Sequence, residues 1–469
     1  MKRICSFVLA LVMVLSLVGC ATAPAAQEQS AQPQQQTQDT QAQQPAQSVA
    51  QPAATQTEQS PYAGKTLKVW VSKMFSDDVN KAVAERAQAF GQEYGVEVEL
   101  EQISAGNITN VVNAAVEAGA NVLPDVIMWS SHEKFMYYYP DLVTIPVTEL
   151  YEKINAKHPY LGARKDGCLK IDGEYYGIPF YASCALLAIR KSAMNAAGYT
   201  EVPDTWDGLF DMADAMTKAS GLYGLGWGCG PNDEDNENNS RTYFWSHGAF
   251  KLSKDGLNNS DLYKKFAERY VEMYKNGTVP VDATTWNASS NNNSYLIGES
   301  AMVLNASTLV RALKNDKPDL YEDTIFAACP PGADPHLRDG TSAWTITTGS
   351  KNPDLAAAFI EWMVDFDWYE GFIQSCVPVL TPIYQEVADS DFWQNDPINA
   401  ANVKTATDMD VFLSYDSSDP TMMSVGMKLF QSYGWSNVLA AMCNGATFEE
   451  AWPVYEGVVK DIIDSSYGK

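Results

Sequence analysis

The sequence predicts an α/β fold of two lobes, each a mostly parallel sheet flanked by helices, and three observations carry that prediction. Strand-like and helix-like periodicities alternate through residues 66–129, the order that builds a parallel sheet covered by helices. The chain has 469 residues, more than one compact core usually accommodates. Residues 170–191, KIDGEYYGIPFYASCALLAIRK, read as an extended crossing from one domain into another. There Gly173 lies in a turn-prone Asp-Gly pair, Gly177 and Pro179 disfavour a helix, and 185–189 is continuously apolar, as a strand buried on both faces would be.

Taken in order, Lys2 and Arg3 precede an apolar run, 4–18, that is too short to span a membrane and has the pattern of an export signal over 1–19. The run ends Leu17-Val18-Gly19-Cys20, which resembles a bacterial lipobox, so Cys20 is the expected lipidation site and membrane anchor. Residues 21–60 are nearly all Gln, Ala, Thr, Ser and Pro. Such a segment buries too little apolar surface to offset its ordering entropy, and 20–60 is read as a lipidated tether.

In 66–71, Leu67, Val69 and Val71 share one side of a strand. Ser76 is a fair N-cap, Asp77 and Asp78 complement the helix dipole, and Val79, Val83, Ala87 and Phe90 recur at helical spacing. A second strand over 96–103, a helix marked by Ile108, Val111, Val112, Ala115 and Val116, and a strand over 125–129 follow. Ligands of open parallel sheets bind beyond the strands' carboxyl ends, here 72–75 and the Trp129-Ser130-Ser131-His132-Glu133 run.

Beyond the crossing, 202–217 reads as a helix with Leu209, Phe210, Met212, Ala213 and Met216 inward. Gly224, Gly226, Gly228 and Gly230 then alternate with Leu225, Trp227 and Cys229. A phosphate loop would need a closing Gly-Lys-Ser/Thr, so the expectation is an extended segment with another backbone or helix close against it. The acidic, polar run 231–240 is expected to be a surface loop, with an apolar patch starting at Thr242-Tyr243-Phe244-Trp245. A helix carrying Ala356, Ala357, Phe359, Ile360 and Met363 follows Pro353, and Thr447 with Glu450 forms a capping box for the last helix.

Asp172-Gly173-Glu174-Tyr175-Tyr176-Gly177-Ile178-Pro179 resembles the Asp-Gly-Lys-x-Tyr-Gly-x-Pro run of sugar-type extracellular solute-binding proteins of ABC importers, the maltose-binding-protein class. The resemblance continues through Pro203-Asp204-Thr205-Trp206, Gly298-Glu299-Ser300-Ala301-Met302 and Asn444-Gly445-Ala446-Thr447-Phe448, covering roughly residues 65–465. It implies a periplasmic-binding-protein-like fold with several hinge crossings, lobe 1 from 64–182 and 343–379, lobe 2 from 183–342 and 380–469. It further implies a monomer that binds carbohydrate in the interlobe cleft and hands it to permease subunits. Where the family shows Asn-Gly-x-Trp, this chain reads Asn305-Ala306-Ser307-Thr308, so one stacking aromatic is missing.

The expected stacking aromatics are Trp129, Tyr181, Trp227, Tyr243, Trp245 and Trp344, because sugar rings offer apolar C–H faces. The expected polar partners are Lys73, Ser131, His132, Glu133 and Asn305. A polyamine or other small solute is the alternative ligand, and a secreted glycoside hydrolase the alternative class.

The formal net charge of −26 and the lack of a basic stripe disfavour nucleic acid. No cofactor or metal is expected: the cysteines form no Cys-x-x-Cys pair, and the four histidines form no His-Glu-x-x-His. Of eight cysteines, Cys5 and Cys20 belong to the export segment, and the pairing of the remaining six is open. No Gly-x-Ser-x-Gly elbow occurs, so an enzyme is not expected.

Overall fold

A computed structural model describes residues 60–468 apart from 105, 120–121, 163–169, 184, 232, 250–251, 307, 328, 331–339 and 409–418. The export segment, Cys20, the tether, Cys168, Cys184, Ser307 and His336 lie outside the described residues.

The elements β1 (Thr66–Ser72), α1 (Asp77–Tyr94), β2 (Glu97–Ile103), α2 (Ile108–Ala118) and β3 (Val126–Trp129) follow one another as their periodicities predict. A 3-10 helix (His132–Tyr138) and α3 (Thr148–Lys157) lead to the hairpin β4 (Lys170–Ile171) and β5 (Glu174–Tyr175), then to β6 (Ile178–Ser183) and β7 (Ala185–Arg190). Next come α4 (Lys191–Ala196), α5 (Trp206–Ser220), α6 (Glu234–Ser246), the hairpin β8 (Leu252–Ser253) and β9 (Gly256–Leu257), and α7 (Ser260–Lys275). The chain continues through α8 (Ser290–Leu296), β10 (Met302–Ala306), α9 (Thr308–Asp316), α10 (Pro318–Glu322), β11 (Thr324–Ala327) and β12 (Gly340–Ile346). The remainder is helical: α11 (Pro353–Met363), α12 (Phe366–Ser375), α13 (Gln385–Ala388), α14 (Asp391–Gln394), α15 (Pro397–Asp408), α16 (Pro420–Gln431), α17 (Gly434–Cys443) and α18 (Phe448–Ser466).

Two sheets organise these elements. The first has the order β2-β1-β3-β12-β6, with β1 parallel to β2 and β3 while β12 runs antiparallel to β3 and β6. Leu67, Val69 and Val71 of β1 are wholly buried. The second sheet has the order β10-β7-β11 and departs from the mostly parallel expectation: β7 is antiparallel to both neighbours. β10 and β11 share a direction but flank β7, so no parallel pair forms between named strands there.

The chain passes from the first sheet to the second between β6 and β7, and returns between β11 and β12. Beside them, Ala182 of β6 forms an antiparallel bridge with Thr381.

Aromatic side chains fill the interior on both sides. Under the first sheet, Phe180 lies 5.3 Å from Trp344 and stacks on Phe372 at 5.4 Å, and Trp344 meets Phe359 edge-on at 5.8 Å. Beside the second, Trp206, Phe210, Trp227, Tyr243 and Phe266 form one continuous cluster.

The glycine alternation has the close approaches expected of it. A Cβ on Gly224 would fall 2.0 Å from the Ala213 carbonyl oxygen of α5, and one on Gly230 would fall 1.9 Å from that of Trp286. The segment runs extended beside β10, with Tyr223 in a parallel bridge to Ser300 and the Gly226 N–H donating to the Met302 carbonyl. The predicted capping box also forms: Thr447 accepts from the Glu450 N–H, and Glu450 accepts from the Thr447 N–H at 2.8 Å.

The run 231–240 is not a surface loop. Asp233 caps α6, its side chain accepting from the Asn236 N–H at 3.1 Å, and the helix buries polar residues along most of its length. Acidic residues in the first turn favour this start electrostatically, and the buried groups are satisfied by partners distant in the chain.

Candidate ligand cleft

The carboxyl ends of β1 and β3 are linked by ion pairs to helices that pack on β10 of the second sheet. From β1 come exposed Lys73 and half-buried Phe75, and from β3 come Ser130 and the 3-10 helix with Lys134. Opposite them lie the first turn of α6, Asn291 of α8, Asn305 of β10, and α9.

Among the described residues, two ion pairs join the sides. Asp78 of α1 bonds Arg311 of α9, whose guanidinium sits 5.3 Å from the Phe75 ring centroid. Lys134 lies 3.6 Å from Glu234 of α6 and donates to the Ser130 hydroxyl at 3.3 Å. The Lys134 side chain is only 4% exposed, so its ammonium is drawn from water and held by these oxygens.

Behind Glu234, the Asp235 carboxylate accepts from the amides of Asn291 at 2.9 Å and Asn305 at 3.0 Å, and Asn305 also donates to the Asn291 amide oxygen at 3.0 Å. Burial pushes the Asp235 carboxyl up to about 7 against those donors, helped by the neighbouring Asp233 and Glu234. Burial also raises Glu237 and Asp233. Glu237 is drawn back by Arg241 and by the Ser436 N–H and hydroxyl at 2.9 and 3.1 Å.

Half-buried Tyr433 lies near this acidic turn, where burial, then Glu234, Glu237 and Asp233, push its phenol up to about 12. Its backbone is left-handed, φ 50°, a conformation uncommon for a residue with a Cβ. Among the described residues no group of His, Cys, Asp and Glu could hold a metal ion.

The structure relocates most of the expected aromatics. Trp344 is wholly buried against Phe180 and Phe359. Trp129 turns into the sheet because Thr345 of β12 accepts from its indole at 3.0 Å. Trp227 donates to Asn236 at 2.8 Å within the cluster that holds Tyr243. Trp245 and Tyr181 are buried too, with the Tyr181 phenol pushed up to about 12 by burial. These six rings form interior and present no open face to a ligand in this structure.

The polar expectations divide. His132 is buried, its Nδ1 2.8 Å from the Thr341 carbonyl, an acceptor that fixes a proton on that nitrogen. Ser131 and Glu133 are buried beside it. Lys73 is exposed at the end of β1, and Asn305 belongs to the Asp235 network. Sequence reasoning placed 72–75 at the cleft without singling out Phe75, and missed Lys134, Glu234, Asp235, Asn291, Arg311 and Tyr433. The nearest signal was the dense acid and amide run 233–239, set just before an aromatic patch.

The profile of the family described as bacterial extracellular solute-binding protein matches residues 85–401. The chain belongs to that family. Membership makes it an exported solute-binding protein, and no described helix is long and apolar enough to cross a membrane. It is similar to a binding protein of Brucella abortus (strain 2308), 28% identical over 236 residues, 49% of this chain and 56% of that one. The chain thus matches little more than half of the length of that relative. Among solved structures, an ABC transporter solute-binding protein of Thermotoga lettingae bound with alpha-D-tagatose has TM-score 0.70 at 19% identity, covering 85% of this chain and 100% of that one. A maltose-bound protein of T. maritima has TM-score 0.67 at 16% identity, covering 86% and 99%. At these identities the likeness shows a shared two-lobe fold.

Proposed function

We propose that this protein is the substrate-binding lipoprotein of an ABC importer, taking a carbohydrate, specifically an oligosaccharide, into the cleft between the two sheets and delivering it to the permease. The carrying observation is the pairing of half-buried aromatic faces, Phe75 and Tyr433, with a dense set of carboxylate, amide and cationic groups at the two sides of the cleft. Sugars need both: apolar walls for their C–H faces and placed donors and acceptors for their hydroxyls. The sugar-bound neighbours of like fold support the reading.

The three acids at the start of α6 also fit a cationic solute such as a polyamine. Two of them are already neutralised in part, Glu234 by Lys134 and Asp235 by its raised affinity for a proton, so the sugar reading accounts for more of the site.

Calorimetric titration with a panel of mono- and oligosaccharides tests the proposal. Saturable heat is expected, and Phe75→Ala and Tyr433→Ala should each weaken binding by ~10-fold, about 1.4 kcal/mol. Binding of spermidine with no response to any sugar would overturn the substrate class. For the anchor, Cys20→Ala should leave the membrane fraction while keeping the parent's affinity.

A further inference from the structure

We propose that Cys229 and Cys443 form a disulfide in the exported protein, tying the glycine-rich segment ahead of α6 to the end of α17. The inference is independent of the ligand reading.

Cys229 is buried, and its N–H donates to the Ala283 carbonyl. Cys443, the last residue of α17, is half-buried and packs on the same apolar core. One tyrosine locates both: Tyr270 of α7 donates its hydroxyl to the Trp227 carbonyl at 2.6 Å, two residues before Cys229, and α7 packs along α17. Tyr270 and Cys443 both lie close enough to act on the Cys229 thiol, and Cys229 acts in turn on Cys443. The sulfurs are therefore already neighbours. Their closeness holds Cys229 below the ordinary thiol range and pushes Cys443 well above it. Cys329 and Cys376 are buried elsewhere, and burial raises both thiols.

Exported chains meet oxidising conditions in which such pairs persist as disulfides. The co-reactant is an extracytoplasmic thiol oxidant in its disulfide form. The half-exposed Cys443 thiol gives up its proton to solvent as it meets the oxidant, attacks the oxidant's disulfide, forms a mixed disulfide and releases one oxidant thiolate, which takes up a proton from solvent. The Cys229 thiolate then attacks the Cys443 sulfur, closing the protein disulfide and releasing the second oxidant thiolate. The protein loses two electrons, the oxidant gains them, and the two thiol protons pass through solvent to the released oxidant thiolates.

The test is peptide mapping of the full chain, exported by its own leader and purified without reductant, then denatured and treated with N-ethylmaleimide. The expected result is a linked peptide pair containing Cys229 and Cys443 that disappears on reduction with dithiothreitol. In Cys443→Ser, Cys229 should become alkylated without reduction. Should that variant fail to fold, mapping of the parent decides alone. Complete alkylation of both cysteines in the unreduced parent overturns the proposal, as does a link from either to a different cysteine.

Discussion

The aromatic cluster around Trp227 and the polar helix α6 exchange the places that their compositions suggest. The aromatics, expected at the cleft, are interior. The acid and amide run, expected in solvent, is buried and opens at the cleft. The difference lies in how each group is satisfied. An aromatic ring needs only apolar neighbours and, for Trp, one acceptor, and the core supplies both. Asp235, Asn236, Glu237 and Asn239 tolerate burial only because Asn291, Asn305, Ser436 and the Leu304 carbonyl meet them at hydrogen-bond distance. Composition reports the cost of burying a side chain and is silent about the partner that offsets it.

The most severe way to break this comparison is Trp227→Ala. If the ring is core, its removal leaves a cavity beside Trp206, Phe210 and Phe266, with an expected loss of ~3–5 kcal/mol. Urea denaturation measures it. A variant of parental stability with weakened sugar binding would return Trp227 to the cleft.

How much of this was legible in the sequence follows from the range of the interactions. Residues 66–129 were legible because each strand and helix there shows its buried face within its own few residues, as did the Thr447 capping box, whose members stand three apart. The hinge crossing was readable from Gly177, Pro179 and the apolar run after them. The orientation of Trp129 was not, since it depends on Thr345, 216 residues away. Nor was α6: the Asn236 partner Ser436 lies 200 residues on, and the Asp235 partner Asn305 lies 70 residues on. The reversal of direction at β7 shows the same limit, because periodicity marks a strand without giving its direction.

A pH series sharpens the polar half of the comparison. Asp235 is raised to about 7, so the folded chain keeps a proton there at pH values where the unfolded chain has released it. Stability therefore falls as pH rises from about 4 to about 7 and is level beyond that. The three-unit span corresponds to at most ~4 kcal/mol. Asp235→Asn removes that contribution, and Asp233 and Glu237, raised in the same direction, leave a shallower slope of the same sign. Urea midpoints for parent and variant between pH 4.5 and 8 make the comparison. Parallel curves would mean that Asp235 ionises freely in the folded chain.

The smallest expected effect on stability bears most directly on function. Arg311 is 25% exposed and Asp78 63% exposed, so breaking their pair should change stability by under ~1 kcal/mol. The same pair joins α1, which packs on β2, to α9, which packs on β10, and so ties elements of one sheet to those of the other. If ligand closes the cleft by shifting an equilibrium between open and closed forms, about a hinge near Ala182, Ser342 and Val379, this pair contributes only to the closed one. Even ~1 kcal/mol then changes the ratio of the two forms by ~5-fold, which scattering reads more sensitively than denaturation does. Ligand-free Arg311→Ala should have a larger radius of gyration than the ligand-free parent, and saturating sugar should bring the two to a common value. Asp78→Asn should reproduce the shift, because it removes the other charge of the same pair while leaving the Phe75 ring in place. Equal radii for all three ligand-free proteins would mean that the contact between α1 and α9 does not set the balance, and that the Lys134–Glu234 pair or the hinge backbone holds the closed form alone.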